Sequence, residues 1–64
     1  MNKYYIYHIN EYKEKKYYFG AGKFVCWLAS TCGATSFNNY VAALREVEHI
    51  ANTENISVTK LHIE

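Results

Sequence analysis

The chain contains no proline and only two cysteines, and none of its apolar runs is long enough to cross a bilayer. Without proline there is no rigid linker and no cis-proline turn. Two cysteines are too few for the disulfide framework of a small secreted protein, and a spanning helix needs about 20 consecutive apolar residues. The first three residues lead into a tyrosine-rich segment without the apolar core of a signal peptide. These absences predict a cytoplasmic protein with free thiols that does not bind a membrane.

A phosphate-binding motif is missing as well. Residues 20–23 (GAGK) are similar to the end of a phosphate-binding loop. That loop, however, needs a glycine where Tyr17 stands and a serine or threonine where Phe24 stands. Residues 20–22 are better explained as a tight turn or as a bulge in one bent strand.

The histidines and cysteines do not have the spacing of a metal site. His8, His49 and His62 are far apart in the sequence, and neither Cys26 nor Cys32 belongs to a C-x-x-C pair. Cys32 precedes a predicted helix, but no oxyanion donor or orienting acid can be identified beside it. Cys26 lies within an apolar run and is expected to be a small buried hydrophobe. We therefore expect no enzyme activity, no metal and no cofactor.

The 64 residues form one predicted domain, 1–64, and half of them are hydrophobic. A core of this size rarely contributes more than roughly 3–5 kcal/mol of net stability, so small domains often rely on oligomerisation. The formal net charge is only +1, which argues against strong electrostatic binding of nucleic acid.

Three strands are predicted before the helix. Residues 3–10 (KYYIYHIN) and 17–19 (YYF) are rich in the aromatic and β-branched residues that strands favour, and the charged residues 11–16 connect them. Residues 23–30 (KFVCWLAS) are the most continuous apolar run, typical of a central strand, although periodicity alone leaves a short buried helix possible.

A helix is predicted over residues 37–52, with Ser36 as its N-cap and Asn38 as the competing cap. Its apolar residues recur every three to four positions, with Ala43 and Ile50 at the border of a stripe formed by Phe37, Tyr40, Leu44, Val47 and Ala51. An asparagine in the segment 52–55 can end it in the left-handed conformation. Residues 56–63 form the last predicted strand, whose alternation changes phase near Thr59 and Lys60, where a bulge would restore it. The order is β-β-β-α-β: an α+β fold with a small antiparallel sheet of three to four strands and one amphipathic helix on one face.

Apolar and aromatic residues occupy both faces of the predicted strands, yet one helix covers one face only. The surplus indicates an association surface, and a homodimer would close it either back to back or edge to edge through the strands 3–10 and 56–63. The alternative is a monomer whose tyrosines keep their hydroxyls in water.

Large aromatic side chains anchor protein interfaces, which favours a protein target over a small molecule. The predicted contact residues are the strand aromatics, with three lysines as an electrostatic rim: Tyr5, Tyr7, Tyr17, Phe19 and Trp27, then Lys13, Lys15 and Lys16. In size and style, though through no motif, the chain resembles small inhibitors encoded by phages and mobile elements, some of which block bacterial defence. The resemblance implies masking of a protein in the cytoplasm of a bacterial host. The rival hypothesis is a single-stranded nucleic-acid binder, with aromatics stacking on bases and the lysines Lys13, Lys15, Lys16 and Lys23 on phosphates.

Overall fold

The structure is a computed structural model that describes residues 3–21 and 24–64. A four-stranded antiparallel sheet in the order β3-β2-β1-β4 carries one helix on one face. Its elements, in chain order, are β1 (Ile6–Ile9), β2 (Lys15–Ala21), β3 (Phe24–Leu28), α1 (Tyr40–Glu54), a 3₁₀ turn (Val58–Lys60) and β4 (His62–Ile63). The predicted α+β class and the β-β-β-α-β order are confirmed.

The first hairpin is closed by Asn10. Its side-chain oxygen accepts hydrogen bonds from the backbone N–H groups of Tyr12 and Glu14, both at 2.9 Å. Lys13 completes the turn in the left-handed region, with φ at 63°. An asparagine that bonds to the backbone two residues ahead stabilises such a turn locally. The charged segment 11–16 is therefore a connection, as predicted, although β2 already begins within it at Lys15.

The apolar run 23–30 contains a strand, β3, so the helical alternative is wrong. It lies at the edge of the sheet and not at its centre, because β2 pairs with it on one side and no other strand of the described chain pairs with it on the other. Gly20 and Ala21 continue β2 and pair with Val25 and Phe24. The expected turn or bulge at 20–22 falls partly on Gly22, which lies outside the described residues together with residue 23.

The segment before the helix enters the sheet where β1 and β2 separate. Tyr4 and Phe37 exchange two backbone hydrogen bonds, at 2.8 and 2.9 Å. Thr35 bonds to β2 twice, through its N–H to the carbonyl of Tyr18 and through its hydroxyl to the N–H of Gly20. Residues 35–37 thus fill the gap where the two strands separate. Because β1 pairs with β2 on one side and with β4 on the other, it lies in the sheet interior, and the prediction of an edge at strand 3–10 is wrong; β3 and β4 are the edges.

The helix begins later than expected. Asn39, not Ser36 or Asn38, is the N-cap, and its side-chain oxygen accepts a 2.7 Å hydrogen bond from the N–H of Val41. The C-terminal cap is Asn55 in the left-handed conformation, as the asparagine-rich end indicated.

The buried side of α1 differs from the predicted stripe. Ala43, Val47 and Ile50 are buried, whereas Tyr40 and Leu44 are about half exposed. The small side chain of Ala43 has no solvent exposure and allows close packing of the helix on the sheet. Val47 of the predicted stripe is buried, and Phe37 and Ala51 pack against the core as predicted. The buried side is shifted from Tyr40 and Leu44 toward Ala43 and Ile50, which were predicted at the border of the stripe.

The cap provides a local test. Asn39→Ala should lower the free energy of unfolding by about 1 kcal/mol because one N–H of the first turn loses its partner. Asn38→Ala is the matched control, since the same amide is removed one position earlier at an exposed site that caps nothing. Urea unfolding followed by circular dichroism measures both variants. Equal losses would contradict the assignment of the cap.

The C-terminal segment changes phase through the 3₁₀ turn and not through a bulge. Ser57 caps this turn, and β4 retains only two residues. Because the turn rotates the chain, Ile56, Leu61 and Ile63 all pack against the core. Val58 is left half exposed. The predicted break was in the right place, but the predicted strand 56–63 is mostly not a strand.

The core lies between α1 and the helix side of the sheet. Its buried members are Ile6, Tyr18, Ala43, Val47, Ile50 and Leu61. The Tyr18 hydroxyl crosses this layer and donates a 2.6 Å hydrogen bond to the carboxylate of Glu46 on the helix. Burial, with this hydrogen bond as the second cause, raises the pKa of Tyr18 well above its ordinary value.

Candidate association surface

The face of the sheet opposite α1 is lined mainly by aromatic and apolar side chains. Alternation along the strands assigns them, because Tyr18 and Ile6 point to the helix and their neighbours in sequence point away. We call this surface the open face; its members are Tyr5, Tyr7, Ile9, Lys15, Tyr17, Phe19, Phe24, Cys26, Leu28, His62 and Glu64. The surplus expected from the sequence is therefore present on one side of the sheet.

One row of side chains crosses all four strands of the open face. Tyr17 is opposite both Leu28 and Tyr7, and Tyr7 is opposite His62. The rings of Tyr7 and Tyr17 have centroids 5.9 Å apart, and the His62 ring stacks on Tyr7 at 5.2 Å with an interplanar angle of 30°. Tyr5 adds an edge-to-face contact to Tyr17 at 6.4 Å. Because the rings hold one another in place, less side-chain freedom remains to be lost when a partner binds.

The charges on the open face pair with one another. Lys15 and Glu64 form a salt bridge, and the Tyr17 hydroxyl donates a 3.0 Å hydrogen bond to the same carboxylate. The Lys15 ammonium also lies 4.3 Å from the centroid of the Tyr7 ring. The hydrogen bonds from Lys15 and Tyr17 lower the pKa of Glu64, and the bond to Glu64 raises the pKa of Lys15. Each charge thus lies beside its opposite, and this part of the surface is not basic.

The β2–β3 half of the open face is apolar. Phe24 is 73% exposed, and Phe19 and Leu28 are partly buried beside it. Cys26 is exposed with a free thiol, so the expectation of a buried Cys26 is wrong. The reason is the orientation of β3, whose alternate residues Val25 and Trp27 take the core side and leave Cys26 on the other face.

Not all of the predicted contact residues share this surface. Tyr5, Tyr7, Tyr17 and Phe19 lie on the open face with Lys15. Trp27 lies on the helix side, with its ring 4.3 Å from His8 and 6.0 Å from Tyr18. Lys16 is on that same side, directly opposite His8 in the β1–β2 ladder. Lys13 sits at the hairpin tip. The three lysines expected to form one rim therefore point in three directions, and Trp27 contacts the core.

Six residues of the open face were not predicted as contacts from the sequence: Ile9, Phe24, Cys26, Leu28, His62 and Glu64. The alternation within 24–28 contained the needed signal, but both of its faces are apolar, so a register was required to choose between them. His62 and Glu64 follow the phase change at the 3₁₀ turn, where alternation counted from residue 56 assigns the wrong side.

A second apolar feature lies on the helix side, at the β4 edge. It is a groove of about 460 Å³ between α1 and the C-terminal segment, lined by Tyr40, Leu44, Val47, Val58 and Leu61 among others. Tyr7 and His62 of the open face also line it, so the groove borders that surface at the β4 edge. The half-exposed helix residues that were predicted to be core line this groove. Apart from tyrosines, its ionisable lining residues are Glu48 and His62.

In residues 3–21 and 24–64, no group of three His, Cys, Asp or Glu side chains is placed to hold a metal ion. His8 packs on Trp27 and His62 stacks on Tyr7, so both imidazoles have aromatic neighbours. Over the same residues, the helix lacks the length and apolar character needed to cross a bilayer.

The chain matches no protein-family model, and no curated protein and no solved structure is significantly similar to it.

Proposed function

We propose that this chain is a small, non-enzymatic protein-binding module that uses its open face to mask a surface of a protein target, and that it acts as a homodimer. The observation that carries the proposal is the row Leu28–Tyr17–Tyr7–His62, which crosses the whole sheet without a covering element among the described residues. Contiguous exposed apolar surface of this kind typically marks an interaction site.

The composition of the open face favours a protein partner. Tyrosine and phenylalanine bring large contact areas at small entropic cost, and they are enriched at the centres of protein interfaces. The salt bridge between Lys15 and Glu64 lies beside Tyr7 and Tyr17. Such an exposed pair adds little affinity by itself but sets orientation and on-rate.

The lysines favour a protein over single-stranded nucleic acid. Of the four lysines in the rival hypothesis, Lys15 lies on the open face and is paired with Glu64. Lys16 points to the other face, Lys13 is at the hairpin tip, and Lys23 is outside the described residues. A phosphate chain following the stacked tyrosines would meet the Glu64 carboxylate and one neutralised lysine, which is the reverse of a basic groove.

The proposed mode of action is masking. A rigid aromatic surface acts by occupying part of a larger protein and excluding that protein's own partner. Inhibitors of this size are common among phage and mobile-element proteins, including those that block bacterial defence systems. We place the target in the bacterial cytoplasm on this basis.

A matched pair of variants tests the proposal. Tyr7→Ser combined with Tyr17→Ser removes the centre of the open face, whereas Val41→Ser removes an apolar side chain that is 54% exposed on the helix. Tagged proteins are incubated with bacterial extract, with and without nuclease, and the captured proteins are quantified by mass spectrometry. Circular dichroism confirms that each variant is folded.

The expected result is a nuclease-resistant protein partner that is retained by Val41→Ser and weakened at least about 30-fold by the tyrosine double variant, as loss of an interface centre predicts. Capture that disappears with nuclease would support nucleic-acid binding instead. Equal capture by both variants would contradict a role for the open face.

A further inference from the structure

The outer edge of β3 has backbone groups that the described part of the chain does not use. The direction of these groups follows from β2, the strand that pairs with β3. The carbonyl of Tyr18 on β2 accepts a hydrogen bond from the N–H of Thr35 at 3.0 Å, and the N–H of Gly20 donates to the Thr35 hydroxyl at 2.9 Å. Tyr18 and Gly20 therefore direct their backbone groups away from β3.

The pairing pattern then fixes the direction of the groups on β3. In an antiparallel ladder, opposite residues alternate between pairs that bond to each other and pairs in which both residues point outward. Tyr18 is opposite Trp27 and Gly20 is opposite Val25. The N–H and C=O groups of Val25 and Trp27 consequently point out of the sheet, where no described residue bonds to them.

We propose that this edge pairs with the same edge of a second copy, antiparallel, about a two-fold axis at Cys26. In this register Val25 bonds to the second copy's Trp27, and Trp27 bonds to its Val25. All five residues of β3 overlap, and two four-stranded sheets join into one of eight strands. This pairing specifies how the homodimer of the proposed function forms. It rests on the proposed function for the homodimer and not for the binding of a target.

The strand is self-complementary, and this argues for a second copy as the occupant. Phe24 lies opposite the second copy's Leu28 on the open face, and Val25 lies opposite its Trp27 on the helix side. The strand 24–28 contains no charged residue and no proline, so no like charges oppose each other. An uncharged edge strand without proline is the kind that pairs with another chain.

The geometry also reconciles dimerisation with target binding. A two-fold axis perpendicular to the sheet keeps the open faces of both copies on the same side. The pairing therefore leaves Tyr7 and Tyr17 free and extends the aromatic surface across the axis. Back-to-back packing would bury that surface and would compete with the target.

Cys26 reports on the register. At the axis it lies opposite itself in a pair that does not exchange backbone bonds, where the two Cα atoms are about 4.5 Å apart. This separation is within the range of about 4.4–6.8 Å over which a disulfide forms without backbone movement. Diamide takes up the two electrons and two protons that the pair of thiols releases. Cys32, which is also free, is the internal control.

The experiment combines this cross-link with the loss of one edge N–H. Val25→Pro removes a donor that points outward and leaves the β2–β3 bonds in place, whereas Val25→Thr keeps the donor. Light scattering coupled to size exclusion should show the wild type and Val25→Thr at twice the 7.5 kDa protomer mass. The Val25→Pro dimer should be weaker, with a dissociation constant at least about tenfold higher than that of the wild type. Diamide should cross-link the wild type and Cys32→Ser but not Cys26→Ser.

Several results would overturn the inference. The first is that the Val25→Pro and Val25→Thr dimers are equally tight. The second is that cross-linking requires Cys32 and not Cys26, and the third is that the protein is a monomer at every concentration. A monomer would also remove the homodimer part of the proposed function. Target binding is tested separately by the tyrosine double variant, so a monomeric protein that still loses capture in that variant would support the open face as the target-binding surface. If Val25→Pro does not fold, the two cysteine variants decide alone.

Discussion

Ile50→Ala should leave a large fraction of the protein unfolded in water at ambient temperature. Ile50 has no solvent exposure and packs in the cluster that joins α1 to the sheet. Removing three carbons from a rigid core costs about 2–5 kcal/mol, since a cavity adds to the lost burial. The net stability of a domain this small is rarely above roughly 3–5 kcal/mol. One substitution can therefore remove most of it.

The matched control is Val41→Ala, which shortens an apolar side chain of the same helix at an exposed position. Surface changes of this kind normally alter stability by less than about 0.5 kcal/mol. Urea unfolding followed by far-ultraviolet circular dichroism measures both variants. Similar unfolding midpoints for the two would contradict the assignment of the core face of α1, since the sequence-based stripe places Ile50 only at its border.

Gly20→Ala is the second change with a large expected effect, because the ring of Tyr18 occupies the space of the missing side chain. A Cβ built on Gly20 would meet the hydroxyl oxygen and the Cζ atom of Tyr18 closer than any normal contact allows. The ring cannot move freely, since Tyr18 is buried and its hydroxyl is bonded to Glu46. Overpacking costs about 1–3 kcal/mol, and loss of a hydrogen bond to a charged group adds about 1.5–3 kcal/mol.

A double-mutant cycle isolates this contact. In a Tyr18→Leu background the core keeps an apolar side chain but the ring beside Gly20 is gone, so Gly20→Ala should be neutral or slightly stabilising, because glycine is unfavourable in a strand. Thermal or urea unfolding of the four proteins measures the coupling. The same cost of Gly20→Ala in both backgrounds would show that the strain is in the backbone and not in the ring contact.

The Tyr18 hydroxyl also makes the free energy of unfolding depend on pH in alkaline solution. Its pKa is raised in the folded protein, first by burial and then by the bond to Glu46, so unfolding makes it easier to ionise. The stabilisation is complete below the ordinary tyrosine pKa of about 10 and is lost as the pH rises above it. The urea midpoint of the wild type should therefore fall more steeply above about pH 10 than that of Tyr18→Phe, which has no ionisable group there.

Local signals in the sequence were sufficient to predict the order of the strands and the helix, and to predict those strand and helix ends that turn-forming residues mark. The alternating strands, the charged hairpin segment and the asparagine at the end of the helix each have a local physical cause. The phase break near Thr59 was also visible, because alternation fails there whatever structure replaces it. The N-terminal end of the helix was not fixed, since Ser36, Asn38 and Asn39 are all good caps and tertiary contacts choose among them.

Strand order and face assignment required the three-dimensional structure. Only β2 pairs with the apolar run 24–28 in the described chain, so this run is an edge strand, and no local signal in the sequence indicates that a second partner is missing. Since both faces of that run are apolar, nothing local distinguishes Trp27 from Cys26. A shift of one residue exchanges the two faces, which is why Trp27 was expected at the interface and Cys26 in the core.

Hydroxyl-radical footprinting of the captured complex, with oxidation of each tyrosine quantified by mass spectrometry, tests directly whether the open face binds the partner. Tyr12 at the hairpin tip is 75% exposed and Tyr40 on the helix is 50% exposed, so both act as internal references. We expect partner binding to protect Tyr7 and Tyr17 and to leave Tyr12 and Tyr40 as reactive as in the free protein. Protection of Tyr40 with Tyr17 unchanged would contradict this role of the open face, because Tyr40 lines the groove and Tyr17 does not, whereas Tyr7 borders both surfaces.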